Sequence, residues 1–167
     1  MKFINPSDIA EQKGFSDAEI TQRKAFLEIG EDDQQLLKGF NEQLKSDYSE
    51  FVDDFYNHLK GFEEPRSFLE SEELLERLKK KQAEYFDRLT AGDYNRDYVI
   101  NRIQVGIMHQ KIGLDPKWYM GAHGKYLSWL LPKIGEYCGD DREKFMSTCL
   151  AALKIIIFDI ELANDAY

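Results

Sequence analysis

The chain has 167 residues, of which 43% are hydrophobic and 13% aromatic. This is enough apolar material for one buried core, and it excludes a chain that is disordered throughout. The formal net charge of −9 argues against nucleic acid or an anionic membrane as a partner, because both are negatively charged. Cys138 and Cys149 lack metal-site spacing and predict reduced thiols in a cytoplasmic protein. The first residues contain no long apolar run, so we expect no secretory signal and no membrane span.

Helical signals fill the first half of the chain, and no segment shows the pattern of a strand. Ser16-Asp-Ala-Glu19 forms a capping box and predicts a helix to about Leu27. Apolar residues at helical spacing predict a longer helical region from Gly30 to about Lys60. A break at Gly61–Pro65 precedes a helix predicted from about Glu72 to Leu89. One face of that helix carries Leu75, Leu78, Gln82, Tyr85 and Leu89.

The next two helices meet at a sharp boundary. Asp93 is predicted to cap the helix that carries His109, and this helix is predicted to stop at Gly113. Asp115-Pro116 then supplies an N-cap and a first-turn proline, so a new helix begins at once. We expect this helix to reach about Gly135, with a bend near its end at Pro132.

The last helix is predicted to begin at Asp140 or Asp141 and to continue past Tyr167. Its apolar stripe consists of Met146, Cys149, Leu150, Leu153, Ile156, Ile157 and Ile160. A helix this apolar either lies at the centre of one subunit or also packs against a second copy, and the pattern leaves both open.

His109 is the candidate functional residue. It lies between two helices with no acidic partner in its own turn, which suits a metal or cofactor better than acid–base chemistry. By itself, a lone histidine on an apolar helix face is more often a hydrogen-bonded core residue than a ligand. Val105 and Ile112 lie on the same side at helical spacing. Gly106, one turn earlier, would allow close approach of either a flat ring or another helix.

Two segments resemble a known family. His109–Ala122, HQKIGLDPKWYMGA, resembles the proximal segment of the globin-coupled sensors, in which a haem-binding globin domain regulates an attached output domain. Phe51–Leu59, FVDDFYNHL, is similar to their second helix with its paired Phe-Tyr. The resemblance extends from about Ile20 to Tyr167 and implies an all-α, globin-like helical sandwich with an extra N-terminal helix. It implies one globin sensor domain over residues 1–167, with residues 1–15 as a loose extension and the output domain outside this chain.

Carried over position by position, the resemblance makes His109 the proximal ligand of haem b iron. Tyr56 matches the distal tyrosine whose hydroxyl donates a hydrogen bond to the bound gas. Phe55 is expected to pack against the haem ring. Tyr119 matches a tyrosine near the proximal imidazole and is expected to polarise it through a hydrogen bond.

On the distal helix, the resemblance places Leu78 over the iron. Gln82 and Lys81 are alternative second donors to the gas; Lys81 could instead ligate the empty iron, reach solvent or contact a haem propionate. Val105 and Ile112 are expected to line the haem pocket. His58 and His123 are predicted not to be ligands.

The resemblance implies a domain that reversibly binds O₂, with CO and NO as further candidate gases, and is not itself an enzyme. It also implies a homodimer in which the last two long helices form a four-helix bundle and control an output domain, such as a diguanylate cyclase or a histidine kinase. Two alternatives stay open: a haem-free globin-fold module that binds a partner protein, and a stand-alone globin with NO dioxygenase activity.

Overall fold

A computed structural model describes residues 14–165. Within this range it contains eight helices and no strand, which confirms the predicted all-α class. In chain order the helices are α1 (Asp17–Phe26), α2 (Glu31–Leu44), α3 (Tyr48–Leu59), α4 (Glu63–Ser67), α5 (Glu72–Thr90), α6 (Arg96–Ile112), α7 (Pro116–Cys138) and α8 (Arg142–Asn164). Of the predicted N-terminal extension, residues 1–13 lie outside the described residues, whereas Phe15 is buried in the core.

The first helix begins where the capping signal predicts. The Ser16 hydroxyl accepts from the backbone N–H of Glu19 at 3.2 Å. The reciprocal half of the capping box is replaced by an ion pair, because the Glu19 carboxylate binds Arg23 at 2.7 Å. Arg23 also binds Glu161 in α8 at 3.1 Å, so α1 is tied to the last helix.

The predicted helical region from Gly30 to Lys60 is two helices, α2 and α3, separated at Lys45–Asp47. At this turn the Asp47 carboxylate accepts from the Ser46 hydroxyl and pairs with Lys133 of α7 at 2.7 Å. The predicted break at Gly61–Pro65 is also wrong in part, because Pro65 lies inside the short helix α4. The first turn of a helix does not use its N–H groups for internal bonds, so proline fits there.

The boundaries around His109 are largely as predicted. Gly113 ends α6 with a φ of 74°, a conformation that glycine adopts without strain, and Asp115 caps α7 at Pro116. The predicted cap at Asp93 is wrong. Asn95 is the N-cap of α6, and its side chain accepts from the backbone N–H of Tyr98 at 3.1 Å.

The last two helices are long. α7 continues past Pro132 and the predicted end near Gly135 to Cys138, and Asp141 caps α8. The described part of α8 ends at Asn164, and residues 166–167 lie outside the described residues. None of the helices described here is both long enough and apolar enough to cross a membrane.

α8 lies at the centre of the fold and packs against α2, α5, α6 and α7. Its core side is formed by Ala151, Ala152, Ile155, Phe158 and Leu162. The predicted apolar stripe is therefore divided: Cys149 and Ile156 are buried, whereas Met146, Leu150 and Ile157 are 50%, 52% and 52% exposed. The side that carries Phe158 is buried in preference to the predicted stripe, since burying a large apolar side chain stabilises the fold by roughly 1.5–3 kcal/mol.

Candidate functional site

The His109 imidazole is a partly buried group in the last turn of α6. Its Nδ1 atom is buried and has no hydrogen-bond partner among the described residues. Burial lowers the pKa of this imidazole from 6.5 to about 4, because the cation would lose its hydration. The ring is therefore neutral near pH 7, the form in which histidine binds a metal.

A short connection places Tyr119 beside His109. The three residues Gly113–Asp115 join α6 to α7, and the buried Tyr119 ring lies 5.3 Å from the His109 ring between centroids. This confirms the spatial neighbourhood that the connection predicts, whereas the role of Tyr119 stays a prediction.

α7 presents one aromatic face to this region. Tyr119, His123 and Tyr126 recur at steps of four and three residues, so they lie on one side of the helix. The His123 ring lies 4.9 Å from Tyr119 and 5.0 Å from Tyr126 between centroids. The His123 Nδ1 atom donates to the Tyr119 carbonyl at 3.0 Å, which fixes the orientation of the ring. We call these three residues the α7 face.

The α3 residues reach the other end of the α7 face. Phe55 packs on Tyr126 with ring centroids 5.4 Å apart, and its edge contacts Tyr56 at 5.4 Å. The Tyr56 side chain is buried, and its hydroxyl has no hydrogen-bond partner within residues 14–165. Burial raises the pKa of this phenol above its ordinary value, so the hydroxyl keeps its proton at neutral pH. A continuous series of ring contacts thus joins Phe55 to His109.

The candidate residues on α5 differ in their exposure to solvent. Leu78 is partly buried and packs against the core. Gln82 is also partly buried, and its Nε2 atom donates to the Tyr126 hydroxyl at 2.7 Å. Lys81 is exposed. The structure therefore brings Gln82 to the α7 face and leaves Lys81 at the surface.

The remaining α6 candidates lie on either side of His109. Val105 is partly buried against the core, and Gly106 is buried. Ile112 is 44% exposed at the last residue of α6, so its contact with a pocket stays a prediction. His58 is exposed on α3 and contacts Phe62, away from the α7 face.

Behind His109 lies an ion pair that the sequence analysis did not find. Arg102 of α6 and Asp159 of α8 are both fully buried, with Arg102 Nε 2.5 Å from Asp159 Oδ1. The guanidinium of Arg102 also donates from Nη2 to the Tyr85 carbonyl at 3.0 Å. The hydroxyls of Tyr85, Tyr98 and Tyr119 all donate to the same carboxylate. We call these five residues the Asp159 cluster.

A sequence signal for this cluster exists. Asp159 interrupts the apolar run IIIFDI, and it falls on the side of α8 that also carries Ile155 and Leu162. A charged residue on the buried side of a helix needs an opposite charge nearby, and Arg102 is the corresponding residue on α6. The pairing itself requires knowledge of which helices are neighbours.

Comparisons with known proteins agree with this architecture. The protein-family model described as Protoglobin matches residues 16–167. The chain is 31% identical over 173 residues to the "Heme-based aerotactic transducer HemAT" of Halobacterium salinarum. That match covers 98% of this chain but only 35% of the relative's length.

Among solved structures, the globin domain of the Geobacter sulfurreducens globin-coupled sensor is similar with a TM-score of 0.82. The similarity covers 88% of this chain and 96% of that one, at 24% sequence identity. It confirms the predicted globin-like fold, and together with the other two matches it confirms the resemblance to the globin-coupled sensors. The chain belongs to the protoglobin family.

Proposed function

We propose that this chain is a haem-based gas-sensing domain that binds O₂ reversibly at haem b, with CO and NO as further ligands. The observation that carries the proposal is the His109 Nδ1 atom, which is buried without a partner. A buried polar atom without a hydrogen bond is costly, so its presence calls for an explanation by function. The relative named a heme-based transducer supports haem as the group concerned.

The residues present fit haem. His109 offers a neutral imidazole that no other described side chain engages by hydrogen bonding. When bound, haem supplies a ferrous iron that takes up O₂ reversibly. The Tyr56 hydroxyl, protonated and without a partner, would donate a hydrogen bond to the gas. Such a bond contributes about 1–3 kcal/mol, and O₂ benefits more than the less polar CO. Phe55, Leu78, Val105 and Ile112 would supply apolar contacts, while Gln82 would act through Tyr126.

Haem uptake is the direct test. Adding hemin to the haem-free protein should produce a Soret band, and reduction under O₂ should give a stable oxygenated spectrum. His109→Ala should abolish normal haem retention, whereas the matched variant His58→Ala, at an exposed histidine on α3, should retain it. A wild-type protein without a Soret band after hemin addition would favour the haem-free interaction module. Sustained NO consumption with a reductant would favour the NO dioxygenase.

We further propose that two copies of the chain pair through α7 and α8 as a four-helix bundle. Met146, Leu150 and Ile157 are exposed at steps of four and seven residues along α8, so they form one apolar stripe. Leu131 of α7 is also exposed, at 37%. Because the opposite side of α8 is already in the core, a partner is needed to cover this stripe.

The oligomeric state tests this surface. Leu150→Glu combined with Ile157→Lys should convert a dimer into a monomer in light scattering after size exclusion. The control Phe26→Glu changes a side chain that is 88% exposed on α1 and should leave the dimer intact. A wild-type monomer at micromolar concentration would contradict the proposed pairing.

The proposed role of the domain is signalling rather than catalysis. The transducer relative is much longer than this chain, which matches 35% of it. We propose that a change at His109 alters the packing of α7 and α8 against their copies and thereby controls an output domain. For gas binding to act in this way, the two dimer arrangements must differ in gas affinity.

A further inference from the structure

Two ion pairs join α3, the helix that carries Tyr56, to α7. Asp47 is the N-cap of α3, and its Oδ2 atom lies 2.7 Å from Lys133 Nζ. Asp54 follows seven residues later, with its Oδ2 atom 2.6 Å from Lys125 Nζ. The two lysines are separated by about 12 Å along α7, and the two aspartates by about 10 Å along α3. The two helices run antiparallel and are therefore bonded at both ends of their contact.

Aromatic rings fill the contact between these two ion pairs. The Phe51 ring packs on Trp129 of α7 with centroids 4.7 Å apart. Phe55 packs on Tyr126, the residue after Lys125, with centroids 5.4 Å apart. Ring packing tolerates small displacements of one helix along the other, because its energy comes from many weak contacts. The ion pairs add fixed points, so they determine how α3 lies along α7.

The two lysines are well held for residues at the surface. The side chains of Lys125 and Lys133 are only 27% and 29% exposed, so most of their length is covered by the protein. The ammonium group of Lys133 holds the pKa of Asp47 below its usual range. An isolated exposed ion pair contributes little to stability, whereas two pairs in register oppose any displacement that would break both.

The position of the Tyr56 hydroxyl depends on the position of α3. This hydroxyl has no hydrogen-bond partner within residues 14–165 that could fix it. The Tyr56 ring contacts the edge of Phe55 at 5.4 Å, and Phe55 belongs to the same helix. A displacement of α3 therefore displaces the hydroxyl with it.

α7 lies between α3 and the proposed dimer surface. One side of α7 faces α3 and carries Lys125, Tyr126, Trp129 and Lys133. The exposed Leu131 lies on the opposite side, because successive residues of a helix are rotated by about 100°. A movement of α7 against its copy would therefore reach α3 through the two ion pairs.

We propose that Asp47 and Asp54 are positioning residues that make the Tyr56 hydroxyl follow the movement of α7. The inference rests on the proposed function, because it takes Tyr56 as the group that meets the gas. It also supplies a physical reason why two dimer arrangements should differ in gas affinity, since each arrangement would hold the hydroxyl in a different place.

The first test uses the full chain without haem, so that its outcome does not depend on the proposed function. Fluorine NMR of protein that contains fluorotyrosine reports the surroundings of each tyrosine ring, and the Tyr56 signal is the one missing from Tyr56→Phe. Lys125→Gln combined with Lys133→Gln should shift this signal, because α3 loses its fixed points on α7. Lys125→Arg combined with Lys133→Arg keeps both charges and should keep the wild-type signal.

The matched control is Lys79→Gln, which breaks the ion pair between Lys79 of α5 and Asp53 of α3 at 2.8 Å. Lys79 is 27% exposed, as Lys125 is, and Asp53 is the neighbour of Asp54 in the chain. α3 also packs directly against α5, so the loss of this pair should leave α3 in place and the Tyr56 signal unchanged.

The second test measures gas release from the haem protein. Lys125→Gln with Lys133→Gln should speed O₂ release about threefold and leave CO release unchanged, because O₂ depends more on a hydrogen bond from Tyr56. In the Tyr56→Phe background the same two lysine changes should have no further effect, since the hydroxyl that they position is absent.

An unchanged Tyr56 signal in the variant with both lysines replaced by glutamine would overturn the inference, as would an equal change in Lys79→Gln. A further acceleration of O₂ release in the Tyr56→Phe background would also overturn it, because the lysines would then act by another route. If the Tyr56 signal shifts as expected but wild type takes up no haem, the proposed function fails and the link between α7 and Tyr56 stands.

Discussion

On the His109 side of the candidate pocket, hydroxyls and charges from four helices converge on the Asp159 carboxylate, whereas on the Tyr56 side aromatic rings pack against one another. Phe51 lies at the centre of the second region, with its ring centroid 4.7 Å from both Phe86 and Trp129. Ring packing is tolerant of direction, because the energy comes from buried area and many small contacts. A buried ion pair depends on both partners being present. The two sides should therefore respond very differently to similar substitutions.

The largest effect is expected from Arg102→Met. This change leaves the Asp159 charge buried without its partner and should lower the free energy of unfolding by about 3–5 kcal/mol. Urea denaturation monitored by circular dichroism measures the loss. Phe51→Leu on the other side should cost less, because an apolar side chain still fills the space. Replacing both charged residues, with Arg102→Met and Asp159→Leu, should not recover the stability, because the three phenol hydroxyls of the Asp159 cluster then lose their common acceptor. Equal costs for Arg102→Met and Phe51→Leu would remove the distinction between the two sides.

The second prediction concerns pH and the haem-free protein. The His109 pKa is about 4 in the folded state against 6.5 ordinarily, so between these values the unfolded chain binds more protons. Stability should therefore rise from pH 4 to pH 6.5, and falling pH should cost up to about 3 kcal/mol at this site. Asp159 has a lowered pKa, so its contribution is retained above about pH 4 and is lost only at lower pH.

Denaturation midpoints at pH 4.5 and 7 measure this dependence. His109→Leu should flatten the curve, while His58→Leu at the exposed histidine should leave the slope unchanged. If the stability of His109→Leu still rose with pH as in wild type, other groups would be responsible for the pH dependence.

The third prediction concerns the unpaired hydroxyl on the aromatic side. Tyr56→Phe should speed O₂ release from the haem protein about tenfold, equivalent to about 1.4 kcal/mol, and change CO release less. Stopped-flow displacement measures both rates. Tyr94→Phe is the control, because the Tyr94 hydroxyl is already committed to the Leu89 carbonyl at 2.9 Å. Equal acceleration for the two gases would exclude a hydrogen-bonding role.

The smallest effect is expected at the start of the helix that carries His109. Asn95→Ala removes the observed N-cap and should cost about 1 kcal/mol of stability. Asp93→Ala, at the residue that the sequence favoured as the cap, should be neutral because Asp93 is exposed and precedes the cap by two residues. If Asp93→Ala lowered the melting temperature more than Asn95→Ala, Asp93 would be the cap, as the sequence predicted.

Local signals predicted the helix boundaries well where the chain has a strong chemical reason to stop. Gly113 and the Asp115-Pro116 pair act through their own backbone preferences, so no distant residue is needed to interpret them. The break between α2 and α3 was missed because apolar spacing continues through Leu44 and Tyr48 while the backbone turns. There the deciding contact is between Asp47 and Lys133, two residues far apart in sequence.

In the candidate site, too, local sequence patterns identified some residues and missed others. His109 and Tyr56 could be singled out because each belongs to a local sequence pattern, and their roles stay predictions. The Asp159 cluster could not, because its members come from four helices and Tyr85 and Tyr98 look like ordinary core aromatics in the sequence. Gln82 was expected near the gas, and its bond to Tyr126 depends on how α5 lies across α7.

The connection Gly113–Asp115 has only three residues, so it fixes the distance between the end of α6 and the start of α7. Adding a single residue there would rotate and displace Tyr119 relative to His109, whereas an addition at the exposed Glu70, between α4 and α5, would only lengthen a surface loop. Natural variation in loop length should accordingly be absent at the first position and frequent at the second.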